Sequence, residues 1–300
     1  MKTAVSPDIL CIGSVLWDVV GRSETTMTIG SDVPGRIRRI PGGVAMNIAM
    51  TLQKFGLTPA LLSAVGQDAA GDDLIDQAHK MGLITKYIYR SETLPTDVYM
   101  AIEDANGLIA AIADAHSLEA VGDQILWPLE DGTLGSTKVP YQGIIALDGN
   151  LTEAQLRKIA EHPGFSKADL RVAPASPGKA KRLRTLLGHP NTTLYVNREE
   201  AGLLCNTSFT SATDAAAGLC ASGAQRVLVT DGAGVAADGT KTRVLTNQPP
   251  DVTATRITGA GDTFLAAHIA SEIQGRDANA ALVHALAAAA AYVAGDEPHV

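Results

Sequence analysis

A chain of 300 residues with 46% hydrophobic and 19% charged side chains has ample material for one large core. Its formal charge of −8 argues against a surface that neutralises a nucleic-acid backbone, though a local pocket can still hold a nucleotide or nucleoside. Cys11, Cys205 and Cys220 are odd in number and widely spaced, and the first eight residues lack the apolar run of a secretory signal. A reducing cytoplasm is the expected compartment, with no membrane partner.

Residues 9–13 (Ile9-Leu10-Cys11-Ile12-Gly13) read as a buried strand, followed by Asp18. Residues 33–40 alternate loosely and run into Pro41-Gly42-Gly43, as a half-exposed strand entering a tight turn does. Ile48, Leu52 and Phe55 share a helical face over 47–55, and Gly56 ends that helix; Asn47 taken alone reads as its N-cap. A buried strand over 60–66 and a helix over 72–81 follow. This alternation predicts a parallel sheet with covered faces.

The rhythm breaks at 96–113. Val98, Met100 and Ile102 alternate with Tyr99, Ala101 and Glu103, Asp104-Ala105-Asn106-Gly107 turns the chain, and an apolar strand returns to Asp114. With the strand near Ile37 this hairpin predicts a small sheet able to close over a ligand. Strands then fall near 143–147, 170–173, 193–196 and 226–230, with helices near 153–160, 179–187, 199–205 and 212–221. A late hairpin over 235–245 is expected to turn at Asp238-Gly239-Thr240, and helices near 261–272 and 277–294 finish the chain. The alanine-rich stretch 280–294 is too short to span a membrane and reads as a buried, closely packed helix. The expected fold class is α/β: a three-layer α/β/α Rossmann-like core in a single domain, 1–300, with a small β-sheet lid from about 14–41 and 88–115.

The chemistry concentrates in Thr258-Gly259-Ala260-Gly261-Asp262-Thr263-Phe264. Glycines permit a tight turn around an anion, and the following helix contributes unpaired N–H groups and the positive end of its dipole. Asp262 beside such an anion hole suits a carboxylate that orients an attacking alcohol; it equally suits a helix cap. That motif and Pro41-Gly42-Gly43-Val44-Ala45-Met46-Asn47 resemble, in order and spacing, those of the ribokinase-like (PfkB) carbohydrate kinases. Within the family, Gly13-Ser14-Val15-Leu16-Trp17-Asp18 and Leu62-Ser63-Ala64-Val65-Gly66-Gln67-Asp68 resemble the subgroup that phosphorylates the 5′-hydroxyl of pseudouridine.

The resemblance implies ATP and Mg2+ as cofactors, with K+ as a further candidate. It implies Asp262 as the base, and Gly259, Ala260 and Gly261 as donors to the transferring phosphoryl group. Asp18, Gly42, Gly43, Asn47 and Asp114 inherit substrate contacts, with a flap-hinge position as the alternative for Asp114. Asn197, Thr230, Gly232 and Thr258 inherit the nucleotide side, and Glu200 the metal side; acidic residues at a helix start are also ordinary dipole partners. The resemblance further implies a homodimer joined through the lid, whose strands expose an edge.

Several residues depart from the family pattern. Ala173-Pro174 stands where Asp-Pro is common, Val196 replaces a proline, Leu16 an asparagine, and Arg256 lies where an acidic residue often sits. Arg256 is expected either to face phosphates or to decorate the surface. The run Lys179-Ala180-Lys181-Arg182-Leu183-Arg184 reads as a solvated helix face, not an RNA site. Ribose, adenosine, fructose or a keto-sugar acid are the alternative acceptors, and a degenerate nucleoside-binding protein the non-enzymatic one.

Overall fold

The computed structural model describes residues 6–296; residues 1–5 and 297–300, parts of the N-terminal stretch and of the 1–300 domain considered above, lie outside the described residues. The first strand, β1 (Ile9–Ile12), is followed by β2 (Leu16–Arg22), β3 (Arg36–Gly42), α1 (Val44–Lys54), β4 (Pro59–Leu62) and β5 (Ala64–Gly66). Next come α2 (Ala69–Lys80), β6 (Tyr89–Ser91), β7 (Val98–Asp104), β8 (Gly107–Asp114) and α3 (His116–Ala120). The second half contains β9 (Ile144–Asp148), α4 (Glu153–Glu161), β10 (Asp169–Ala173), β11 (Thr192–Asn197), α5 (Arg198–Cys205) and α6 (Ala212–Ala221). It closes with β12 (Arg226–Thr230), β13 (Ala236–Thr240), β14 (Val244–Asn247), α7 (Ala260–Ile273) and α8 (Ala278–Ala294).

Eight strands form the main sheet in the order β14-β13-β12-β11-β10-β9-β1-β4. Strands β4, β1, β9, β10, β11 and β12 run parallel, and β13 and β14 add an antiparallel edge. The parallel strands are mainly apolar because both faces are covered, with polar residues such as Asp148, Asp169, Arg171 and Arg226 at or near their ends. Leu10, Ile12, Leu147, Val172 and Leu194 face one cluster, which α4, α5 and α6 complete. Ile9, Cys11, Ala146, Tyr195 and Leu228 face the other, built with α1, α7 and α8. Three layers result, as expected.

The sequence reading needs local correction. The expected strand over 60–66 divides at Ser63 into β4 and β5, and β5 pairs with β6 rather than extending the main sheet. Residues 88–91 therefore lie outside the expected lid sheet. The late hairpin turns after Thr240, not at 238–240, because Asp238 lies within β13 and receives the Arg226 guanidinium at 2.7 Å. The basic run occupies a 3-10 segment, Pro177–Leu186, and is not a bare solvated face: Lys179 donates to Asn150 (2.7 Å), Arg182 to Glu119 (2.8 Å) and Arg184 to Leu203 (2.7 Å). Helix α8 is buried on one side only, through Ala281, Leu282 and Ala285, with Val283 exposed.

A second sheet stands apart, in the order β3-β2-β7-β8. Its root is laced to the core. Asp68, at the start of α2, accepts from the Thr96 amide (2.9 Å) and hydroxyl (2.6 Å), and Asp97 accepts from the Ser117 and Leu118 amides. Ile37, Leu108 and Ile112 on this sheet are exposed.

Helix α7 is fastened at its far end by a buried charge network. Glu272 contacts Arg171 and Arg226, Arg226 pairs with the buried Asp238, and the Tyr195 hydroxyl bonds His268 Nδ1 at 2.9 Å. That network ties the last turns of α7 to β10, β11, β12 and β13.

Candidate active site

Gly259 precedes α7 in the left-handed conformation (φ 92°), and a side chain there would meet the Tyr292 hydroxyl. The turn it makes starts α7 so that Asp262 falls in the first turn. There Asp262 Oδ2 accepts a 3.1 Å hydrogen bond from Asn47 Nδ2. Asn47 is not an N-cap. Helix α1 starts three residues earlier, at Val44, which places Asn47 inside the first turn and frees its side chain for Asp262.

Asp262 keeps part of its surface open, yet protein atoms crowd it from most directions. Burial raises its pKa to about 7; the Asn47 bond opposes the rise, and the charges of Asp148 and Asp18 add to it. Asp18, on β2, is itself raised to about 6 by burial. A Cβ on Gly42 would lie 2.1 Å from Asp18 Oδ2, so only glycine lets β3 pass this carboxylate. Asp18, Gly42, Gly43, Asn47 and Asp262 thus form one neighbourhood at the carboxyl end of the parallel strands, where α/β sheets bind ligands.

The anion nest differs from expectation. The Ala260 amide donates to Ile257 O at 3.1 Å, which leaves Gly261 and Asp262 as the first-turn amides without a carbonyl four residues back inside α7. Asp114 also stands apart. It is in register with Val98, one residue off the row that pairs Asp18 with Tyr99 and Tyr99 with Ala113. Its exposed carboxylate bonds His116 at 2.9 Å, the flap-hinge alternative.

Asn197, Thr230 and Gly232 line one cavity of about 790 Å³ together with Lys181, Phe209 and Asp231. Arg198 donates to Asp231 at 2.8 Å beside it. Asn197 and Glu200 form a reciprocal capping box on α5: Asn197 Oδ1 accepts from the Glu200 amide at 2.8 Å, and Glu200 Oε2 from the Asn197 amide at 2.9 Å. Burial raises the Glu200 pKa to about 7, with Asn197 opposing and Glu199 adding. Among the described residues no group of three or more His, Cys, Asp or Glu could cage a metal. One Glu200 oxygen stays outside the capping bond, which fits an ion carried mainly by phosphates and water. Thr258 is exposed, its carbonyl accepting from Tyr292. Arg256 stacks 3.8 Å over the Tyr292 ring and donates to Tyr292 O, so it is anchored to α8 and is not a free phosphate ligand.

Sequence reasoning missed Asp148. It is fully buried at the end of β9, where the expected strand stopped one residue short. A carboxylate closing an apolar strand just before Gly149-Asn150 was the available signal.

The model of the pfkB family carbohydrate kinases matches residues 6–296. The chain is similar to the pseudouridine kinase of Escherichia coli K12, 29% identical over 266 residues, 86% of this chain and 81% of that protein. It is also similar to the pseudouridine kinase of Arabidopsis thaliana, at 27% identity over 65% of this chain and 50% of that one. Among solved structures, Arabidopsis thaliana ribokinase complexed with ribose and ATP superposes with a TM-score of 0.77 at 20% identity, covering 96% and 93% of the two chains. A putative ribokinase II from E. coli in complex with ATP and Mg2+ gives 0.70 at 21% identity, covering 98% and 94%.

Proposed function

The chain belongs to the pfkB family of carbohydrate kinases, a phosphotransferase acting on a hydroxyl group, and from that premise we propose that it transfers the ATP γ-phosphoryl group to the 5′-hydroxyl of pseudouridine. The observation that carries the catalytic half is the Asn47–Asp262 pair: a carboxylate with a pKa near 7, held at a helix start beside Asp18. Such a group takes up the hydroxyl proton more readily than an ordinary carboxylate, while the first-turn amides receive the charge on the phosphoryl group. Asp18 accepts from ribose hydroxyls, and Gly42 and Gly43 let the sugar approach the backbone.

The nucleotide lies toward Asn197, Thr230 and Gly232, whose shared cavity accommodates phosphates. Glu200 and Asn197 are the residues that would hold the hydration shell of Mg2+, an ion that neutralises phosphate charge when bound. Two similar pseudouridine kinases support the choice of nucleoside; the runner-up is a sugar such as ribose, favoured by the ribose-bound structure of the same fold. The β3-β2-β7-β8 sheet is the lid, and its exposed Ile37, Leu108 and Ile112 support pairing with a second copy of the chain, which sedimentation tests. Free Cys11, Cys205 and Cys220 support a reducing compartment, and among the described residues no helix is long and apolar enough to cross a membrane.

Turnover of pseudouridine, uridine, adenosine and ribose with ATP and Mg2+, with and without K+, tests the assignment. Selectivity for pseudouridine supports it. Equal or better turnover of ribose moves the substrate to a simple sugar.

A further inference from the structure

Helix α1 lacks the cap its position calls for. Its N-cap is Gly43, which has no side chain to receive an N–H group. Ser14, from the loop after β1, stands in: its hydroxyl accepts from the Val44 amide at 2.9 Å and its carbonyl from the Met46 amide at 3.3 Å. The same hydroxyl donates to Asp148 Oδ2, which also takes the Ser14 amide at 2.7 Å.

Among the described residues Asp148 has no cation in hydrogen-bond contact. Its remaining partners are the Asn150 amide on Oδ1 (2.7 Å) and Asn150 Nδ2 on Oδ2 (3.2 Å). Asn150 is in turn fixed by Lys179, which donates to its Oδ1 at 2.7 Å. A fully buried carboxylate satisfied by neutral donors costs stability compared with an apolar residue or an ion pair, so its placement here calls for a task. What it holds is the start of α1, three residues before Asn47.

We infer that Ser14 and Asp148 are positioning residues for the acid–base carboxylate: they cap α1 from outside the helix and thereby hold the Asn47 side-chain Nδ2 against Asp262. This rests on the assignment of Asp262 as the base. Asp262 is faced by Asn47 from α1, Asp18 from β2 and Asp148 from β9, and the last two groups place negative charge near it. Ser14 therefore acts on Asp262 through Asn47 alone, whereas Asp148 acts both through the cap and through its own charge. Ser14 secures the donor that favours the ionised carboxylate, whereas the Asp148 charge disfavours it.

The test is the pH dependence of kcat/KM for wild type, Ser14→Ala and Asp148→Asn, with Asp262→Asn as control and thermal unfolding of each. Ser14→Ala is expected to lower kcat ~10-fold or more through misplacement of Asn47, with KM for ATP unchanged and the acid limb moved to higher pH. Asp148→Asn slackens the Ser14 cap but also removes a neighbouring charge, so it is expected to lower kcat several-fold, as Ser14→Ala does, with its acid limb at lower pH than that of Ser14→Ala. If Asp148→Asn does not fold, Ser14→Ala decides alone. An acid limb fixed at the wild-type position, with kcat within about twofold or with losses that follow melting temperature alone, overturns the inference. Full activity of Asp262→Asn would instead remove the base assignment on which it stands.

Discussion

The two ends of helix α7 treat partly buried carboxylates in opposite ways. At the last turn, Glu272 faces Arg171 and Arg226; burial pushes its pKa upward, but the two guanidinium groups outweigh it and hold the group at about 2. At the first turn, Asp262 receives a neutral donor from Asn47 and the repulsion of Asp148 and Asp18, and stands at about 7. Burial acts on both. What separates them is the presence of a counter-charge. A paired carboxylate is locked in one protonation state and anchors the helix, whereas an unpaired one can exchange a proton and work.

Several substitutions break or sharpen that contrast. Asp262→Asn removes the exchangeable proton site and is expected to lower turnover by ~10²-fold or more, with nucleoside binding by calorimetry retained. Glu272→Gln leaves two guanidinium groups short of a partner and is expected to cost about 3 kcal/mol of stability in urea unfolding, with a much smaller effect on kcat of the folded enzyme.

The ends also respond oppositely to pH. Glu272 and His268, whose pKa burial depresses to about 4, bind protons less readily folded than unfolded. Their contribution to stability is present above the ordinary values and is lost as pH falls, for His268 from 6.5 to about 4 and for Glu272 from 4.5 to about 2. Asp262, raised to about 7, binds its proton more tightly when folded, so its contribution is greatest below the ordinary carboxylate range and is lost as pH rises through 7. Asp262→Asn is therefore expected to gain about 1–2 kcal/mol over wild type at pH 8 and little at pH 4, read from paired urea melts. Smallest of all, Asp114→Ala, at an exposed pair with His116, is expected to change turnover by less than about twofold.

How far the sequence disclosed this arrangement follows from where the information sits. Apolar strands without alternation and glycine-terminated helices are local, so the layers and Asp262 at the start of α7 were legible. The start of α1 was not, because Asn47 resembles an N-cap locally while the capping oxygen belongs to Ser14 on a distant segment. Asp148 and Lys179 were likewise hidden: their partners Ser14 and Asn150 are brought to them by the sheet. Asp238 reads locally as a turn residue because the Arg226 that pairs with it lies on the neighbouring strand. Asp114 was placed with the substrate by resemblance, and strand register sets it one residue off the Asp18 row.

A carbon-detected NMR titration of the Asp262 carboxyl, identified by its loss in Asp262→Asn, is the decisive measurement. A midpoint near 7 is the result predicted for an unpaired, enclosed group. A midpoint near 4, the ordinary value for aspartate in water, would contradict the claim that this end of α7 is built to move a proton.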